Sequence, residues 1–188
     1  MTQDVEIGIR LARTGDAAGI AAVHVASWRE TYAGLLPARA LVGMSVPRET
    51  TAWNRTLAES HLRRPVFVAA DSEQKIYGFA SAGPTRDDTL DVDGEIYMLY
   101  VAPGFTGLGI GRELMRATFR LLARGACKSL LVWTLADNPS RFFYEAMGGR
   151  RVAERMHPFW GGSYREIAYA WDNLELPGGA ASAAGARN

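Results

Sequence analysis

A single cysteine, Cys127, occurs in the whole chain. One thiol closes no intramolecular disulfide, so the fold must rest on its core, as suits a reducing compartment. An excess of one charge sign is missing as well: 21 Lys and Arg stand against 20 Asp and Glu, a formal net charge of +1. That balance gives no global electrostatic case for nucleic acid or an anionic membrane as partner. No apolar run approaches the ~20 residues of a membrane span. The opening MTQDVEIGIRL has no basic patch ahead of an apolar stretch, so no secretory signal is legible. These absences together predict a soluble, cytoplasmic protein.

What is present is an ordinary globular composition, 48% hydrophobic and 22% charged, enough for one domain with a sizeable core. Residues 1–176 are expected to form that domain. Residues 177–188, small and polar, are expected to be a disordered tail. VEIGIRLA alternates and reads as a strand. Thr14 or Asp16 can cap a helix whose stripe of Ile20, Val23 and Ser27 runs on through Trp28 to Tyr32. A second helical region spans about Pro37 to Ser60, interrupted near Pro47. PVFVAADSEQKIYGFASAG is a hairpin, PTRDDTLDVDG a polar acidic loop, and EIYMLYVAP a central strand covered on both faces.

A helix with Leu114, Met115, Thr118, Leu121 and Leu122 on its stripe follows, closed by Gly125. CKSLLVWTLA is a strand, and NPSRFFYEAMGG is a helix with Asn138 at its cap and Pro139 in its first position. RRVAERM and YREIAYAW are two closing strands. The order β-α-α-β-β-β-α-β-α-β-β is a mixed α/β layout.

Between the central strand and the next helix lies GFTGLGIGREL, with Gly104, Gly107, Gly109 and Gly111 packed before a helix start. A dinucleotide fingerprint fails because Arg112 takes its third glycine position, and a nucleotide-triphosphate loop fails because Ile110 replaces its lysine. What remains is a loop whose bare amides face the space ahead of a helix N-terminus, an arrangement that holds a pyrophosphate. A glycine-rich turn without a ligand is the plainer alternative.

LYVAPGFTGLGIGREL resembles the acetyl-CoA-binding segment of the GCN5-related N-acetyltransferases, R/Q-x-x-G-x-G/A, and NPSRFFYEAMGG resembles that superfamily's N…FYE..G helix. The likeness follows the element order from Ile7 to Trp171. It departs at Thr106, where the family prefers arginine or glutamine, and at Gly148-Gly149, where glycine-phenylalanine is commoner. The resemblance implies an α/β (α+β) fold with a central mixed, mostly antiparallel twisted sheet of about seven strands flanked by about four helices. It implies acetyl-CoA as co-substrate, with no metal, and transfer of the acetyl group to a primary amine by direct attack on the thioester. A non-catalytic acyl-CoA-binding sensor of the same fold is the alternative.

The cofactor contacts so implied begin on the central strand, at Leu99, Tyr100 and Val101. They continue through Thr106, Gly107, Leu108, Gly109, Ile110, Gly111 and Arg112, and end on the later helix with Asn138, Arg141 and Tyr144.

An alkylammonium with a pKa near 10.4 is neutral about once in 2,500 at pH 7, a handicap of about 4.6 kcal/mol, whereas a thiolate leaves readily. Deprotonating the amine is therefore the heavier task, and a general acid at sulfur helps less. By resemblance Tyr144 donates a proton to the departing thiolate; it is otherwise a core aromatic beside Phe142 and Phe143. Glu95 matches the glutamate base of the histone-acetylating branch, at the end of an apolar strand where its pKa can rise; otherwise it is a solvated strand end. His24 and His157 are rival bases. The thioester oxygen needs a donor, which a backbone N–H of the central strand can supply.

Trp28, Tyr32, Glu95 and Trp160 are the expected acceptor contacts, with Tyr164 beside them, though each aromatic also suits a core. Glu30, Asp87, Asp88, Asp91 and Asp93 bias that side negative, which suits a cationic amine. The acceptor is then a small-molecule amine, a peptide N-terminus or a lysine; a homodimer stays open.

Overall fold

The computed structural model describes residues 6–60, 63–159 and 161–174. The expected tail at 177–188 and the acceptor contact expected at Trp160 lie outside these residues. Strand β1 (Gly8–Leu11) is followed by a 3₁₀ turn at Thr14–Asp16 and helix α1 (Ala17–Thr31). The second helical region divides into α2 (Ala38–Val42) and α3 (Val46–Glu59), so there are five helices among the described residues where four were expected. The break falls at Gly43–Ser45, before Pro47. Pro47 sits in the first turn of α3, where a missing N–H costs nothing, so it starts a helix and does not interrupt one.

Strands β2 (Val66–Ala70), β3 (Ile76–Pro84) and β4 (Gly94–Val101) lead to α4 (Ile110–Arg124), β5 (Leu130–Leu135) and α5 (Arg141–Ala146). The hairpin β6 (Arg150–Phe159) and β7 (Gly162–Trp171) is longer than RRVAERM and YREIAYAW predict. All seven strands form one sheet in the order β1-β2-β3-β4-β5-β7-β6. Only the central β4–β5 pair is parallel; the other neighbours are antiparallel.

Alternation sets the layers. On β2, Val66 and Val68 face α1 and α3, meeting Ile20, Trp53 and Leu57, while Phe67 and Ala69 face α4, meeting Ile110 and Leu114. Each such large side chain taken fully from water contributes roughly 1.5–3 kcal/mol. It is thus β2 and most of β3 that are covered on both faces. The strand expected to be covered throughout, β4, is buried only over Gly94–Ile96 and half-exposed from Tyr97 onward.

The reason is local. Ser81 pairs with Met98 but Ala82 pairs with Ile96, so Tyr97 is an extra residue, a β-bulge. On the other side β5 pairs with β4 only as far as Ile96↔Val132, and its remaining residues pair with β7 alone. The bulge and the end of pairing coincide, so the two parallel strands splay apart at the centre of the sheet.

Candidate active site

Beyond Ile96 the edge of β4 that faces β5 has no strand partner, so its backbone groups there are not taken up by β5. Leu99, Tyr100 and Val101 all lie on this half-buried stretch. The Ser27 hydroxyl of α1 donates to the Val101 carbonyl (2.8 Å) and pins the strand's end.

The glycine loop leaves β4 and turns into α4. Gly104, Gly107 and Gly109 hold φ of +79°, +78° and +84°, left-handed values that the turn itself demands of glycine. Gly111 is different: it lies in the first turn of α4 with no positive φ, and a Cβ there would meet nothing nearer than Phe143 Cζ at 3.4 Å. Neither conformation nor packing requires glycine at Gly111, and a residue this small leaves open space ahead of the helix's first amides. The Glu113 N–H bonds to the Gly109 carbonyl (3.1 Å), which leaves the N–H groups of Ile110, Gly111 and Arg112 without intrahelical acceptors at the positive end of the helix. Thr106 and Leu108 are exposed on the loop. These residues fit a bound pyrophosphate.

Helix α5 approaches the start of α4 through Phe143. It starts at Arg141 after Ser140, so Asn138 is not its cap and Pro139 is not in its first turn. Asn138 makes a tighter feature: its Oδ1 accepts the Ser140 N–H (2.9 Å) in a turn that leads into the helix, and the residue is buried. Tyr144, one turn along, is buried against Phe143, Tyr169 and Trp171. Burial pushes its phenol well above the usual tyrosine range, and nearby Tyr32 adds to the rise, so it keeps its proton. The Tyr32 and Tyr100 hydroxyls are 3.4 Å apart, and burial raises both phenols. Three phenols thus converge where the strands separate. Arg141 lies over the Phe142 ring, its Cζ 4.3 Å from the centroid.

Next to them is a cavity of about 430 Å³ lined by Trp28 from α1, Tyr32 just past that helix's end, Glu95 from β4, Trp133 from β5, and His157 and Phe159 from β6, among others. Glu95 is neither a solvated strand end nor set in an apolar pocket. Its carboxylate is buried and accepts the Arg86 backbone N–H (3.0 Å) and the Arg86 guanidinium, from Nε (3.2 Å) and Nη2.

The two histidines separate. His157 shares the cavity with Glu95, whereas His24 lies in another, of about 370 Å³, beneath α3. His24 is boxed by Trp28, Trp53, Phe79 and Tyr100, and desolvation pushes its imidazole down to about 4. Trp53 Nε1–H donates to its Nδ1 (3.4 Å), which therefore carries a lone pair. Glu49, 3.3 Å from that nitrogen, is a neighbour and not an ion-pair partner.

Of the acids expected to bias this side, only Asp87 lines the cavity. Asp93 is turned to the start of β5, where it accepts the Lys128 and Ser129 N–H groups. Glu30, Asp88 and Asp91 are exposed to solvent. Tyr164 sits opposite His157 in the β6–β7 register and packs beside Phe159.

Sequence reasoning missed Arg86, Trp133, Arg155 and Glu166, all lining the cavity. Arg155 bonds to Asp87 (3.1 Å) and Glu166 (2.8 Å) and stacks on Trp133, 3.9 Å from the ring centroid. A signal existed for part of this: Arg155, His157 and Phe159 fall on one face at period two. Nothing local tells that the loop folds Arg86 back onto Glu95. Among the described residues no group of three or more His, Cys, Asp or Glu is placed to hold a metal ion, and no helix is long and apolar enough to cross a membrane.

Comparison with known proteins completes the picture. The model of the acetyltransferase (GNAT) family matches residues 20–149. The "Uncharacterized N-acetyltransferase YuaI" of Bacillus subtilis (strain 168) is 33% identical over 168 residues, covering 89% of this chain and 94% of that protein. Among solved structures, an N-acetyltransferase from Staphylococcus aureus Mu50 superposes with a TM-score of 0.70 at 19% identity, covering 90% of this chain and 99% of that one. The yncA protein of Salmonella typhimurium, solved with its cofactor acetyl-CoA, gives 0.65 at 20% identity over 90% and 95% of the two chains. The PaiA N-acetyltransferase of Thermoplasma acidophilum, in complex with coenzyme A, gives 0.62 at 17% over 86% and 98%.

Proposed function

The chain belongs to the GNAT acetyltransferase family, and on that premise we propose that it moves the acetyl group of acetyl-CoA onto a primary amine by direct attack on the thioester. The observation that carries this reading is the position of Tyr32. Its ring lines the cavity that holds Glu95, while its hydroxyl reaches Tyr100 on the unpaired half of β4. An acetyl-CoA lying along the unpaired half of β4 and an amine in the cavity would then meet at Tyr32, as group transfer between two bound molecules requires.

When bound, acetyl-CoA supplies the thioester carbonyl that the amine attacks. The N–H groups of Ile110, Gly111 and Arg112 hold its pyrophosphate, Gly111 leaves room for it, and Asn138 and Arg141 flank the pantetheine arm. A free N–H of β4 beyond the bulge donates to the thioester oxygen as charge gathers there. Glu95 receives the amine's proton, directly or through water, and the Arg86 guanidinium fixes the direction in which its carboxylate points. Tyr144 holds a proton at its phenol oxygen and delivers it to the sulfur as the carbon–sulfur bond breaks.

The test is release of free CoA thiol, corrected for hydrolysis, across a panel of amines. Amine-dependent release supports the transferase. Tight acetyl-CoA binding with no amine-dependent turnover would leave the sensor alternative.

A further inference from the structure

We propose that the acceptor is a monocationic amine carrying an uncharged oxygen acceptor beside its amino group, the chemistry of an aminoacyl amide; this rests on the acetyl-transfer reading above. The charges of the cavity are its first support. Asp87, Glu95 and Glu166 face Arg86 and Arg155 across its walls. Arg86 is taken up by Glu95, and Arg155 is shared between Asp87 and Glu166. One negative charge is left, which a single ammonium neutralises. A substrate carboxylate would have to displace one of these carboxylates from its guanidinium, and a polyamine brings more positive charge than the walls can match.

The second support is independent of charge. Trp28 is 8% exposed, and its Nε1–H has no hydrogen-bond partner. Trp133 is placed differently: its indole faces the Asp87 carboxylate and helps to hold that carboxyl below the usual range. Both indoles line the cavity. A buried donor without an acceptor is costly, and solvent does not reach the Trp28 N–H. A ligand carbonyl supplies the missing acceptor once the edge of the Trp28 indole turns toward it. An ammonium alone has no acceptor to offer; an amide carbonyl next to it does. Tyr32, Tyr97 and Phe159 supply the remaining wall, which suits an apolar side group on the same molecule.

Matched probes test this with one skeleton: phenylalaninamide, phenethylamine and free phenylalanine, each titrated calorimetrically into the protein with coenzyme A present. A tripeptide amide beginning with phenylalanine tells a free amide from a chain end, both of which carry the proposed chemistry. The amide should bind about tenfold tighter than phenethylamine, the penalty for a buried indole N–H left unpaired. It should also bind tighter than the zwitterion. In ¹⁵N–¹H spectra the indole resonance of Trp28, identified by its loss in Trp28→Phe, should move downfield with the amide and stay in place with phenethylamine. Equal affinities, tighter binding of free phenylalanine, no binding of the amide, or an unmoved Trp28 resonance with the amide bound would each overturn the proposal. Because these are binding measurements, a bound amide that is never acetylated would count against the transferase reading and leave this one standing.

Discussion

Gly109 and Gly111 are two residues apart at one helix start, yet replacing them should have opposite consequences. At Gly109 an added Cβ meets nothing within 4 Å, but φ is +84°. A side chain in that left-handed conformation costs roughly 1–2 kcal/mol. At Gly111 the backbone is helical and the nearest atom to an added Cβ is 3.4 Å away, so alanine should gain helix propensity worth up to ~1 kcal/mol. For a domain of this size each kcal/mol moves the melting temperature by roughly 2–4 °C. Scanning calorimetry should therefore find Gly109→Ala lowered by a few degrees and Gly111→Ala slightly raised. Gly111→Val should melt near the wild type, since valine differs little from glycine in that turn.

Ligand binding should follow a different order. A single methyl at Gly111 is small, so Gly111→Ala should retain coenzyme A in isothermal titration, while the branched side chain of Gly111→Val fills the space ahead of the amides and should abolish binding. A Gly111→Val protein that binds acetyl-CoA with wild-type affinity would refute the placement of the cofactor. One that is destabilised by more than ~2 kcal/mol would show that the glycine serves the protein's own packing, and the argument from empty space would fall.

Tyr144→Phe keeps the buried ring and removes only the hydroxyl, so fold and cofactor affinity should persist while single-turnover transfer slows by ~10², the low end for a general acid because a thiolate leaves readily; a step within about twofold of wild type would reduce Tyr144 to a packing residue. Glu95→Gln should lower turnover and flatten the acidic limb of the pH–rate profile with acetyl-CoA affinity unchanged, whereas an unaltered limb at wild-type rate would move the base elsewhere. His24, held down to about 4 by burial, has a folded pKa below its unfolded one near 6.5. The unfolded chain then takes the proton first, so His24's contribution to stability is complete above about pH 6.5 and declines toward pH 4. Denaturant unfolding of wild type and His24→Gln at pH 7 and 4.5 should show their difference shrinking by about 2–3 kcal/mol, and a constant difference would mean that the fold does not depress the imidazole's pKa.

The order of elements and the glycine loop ahead of α4 were legible in the sequence because both are local. Alternation and the glycine run lie within single segments, and the Asn138–Tyr144 stretch needs only one turn and one helix to be placed. The same local reading assigned the last two strands, although it set Asn138 two residues too near its helix, since a turn and a cap share the same residues. What it could not give is β4. EIYMLYVAP reads as uniformly apolar, yet Tyr97 bulges and β5 parts from it after Ile96, because pairing register depends on what β3 and β5 can bury and not on β4 alone. The cavity beside it is divided: Trp28, Tyr32 and Glu95 were expected together from the sequence, but Arg86, Trp133, Arg155 and Glu166 were not. Arg86 reaches Glu95 from a loop nine residues away, and Arg155 joins Asp87 to Glu166 across the sheet's far side. Composition fixed a balanced net charge for the chain, but only the tertiary structure decided which carboxylates face inward with guanidiniums and which are left to water, because that choice is made by packing between segments distant in sequence.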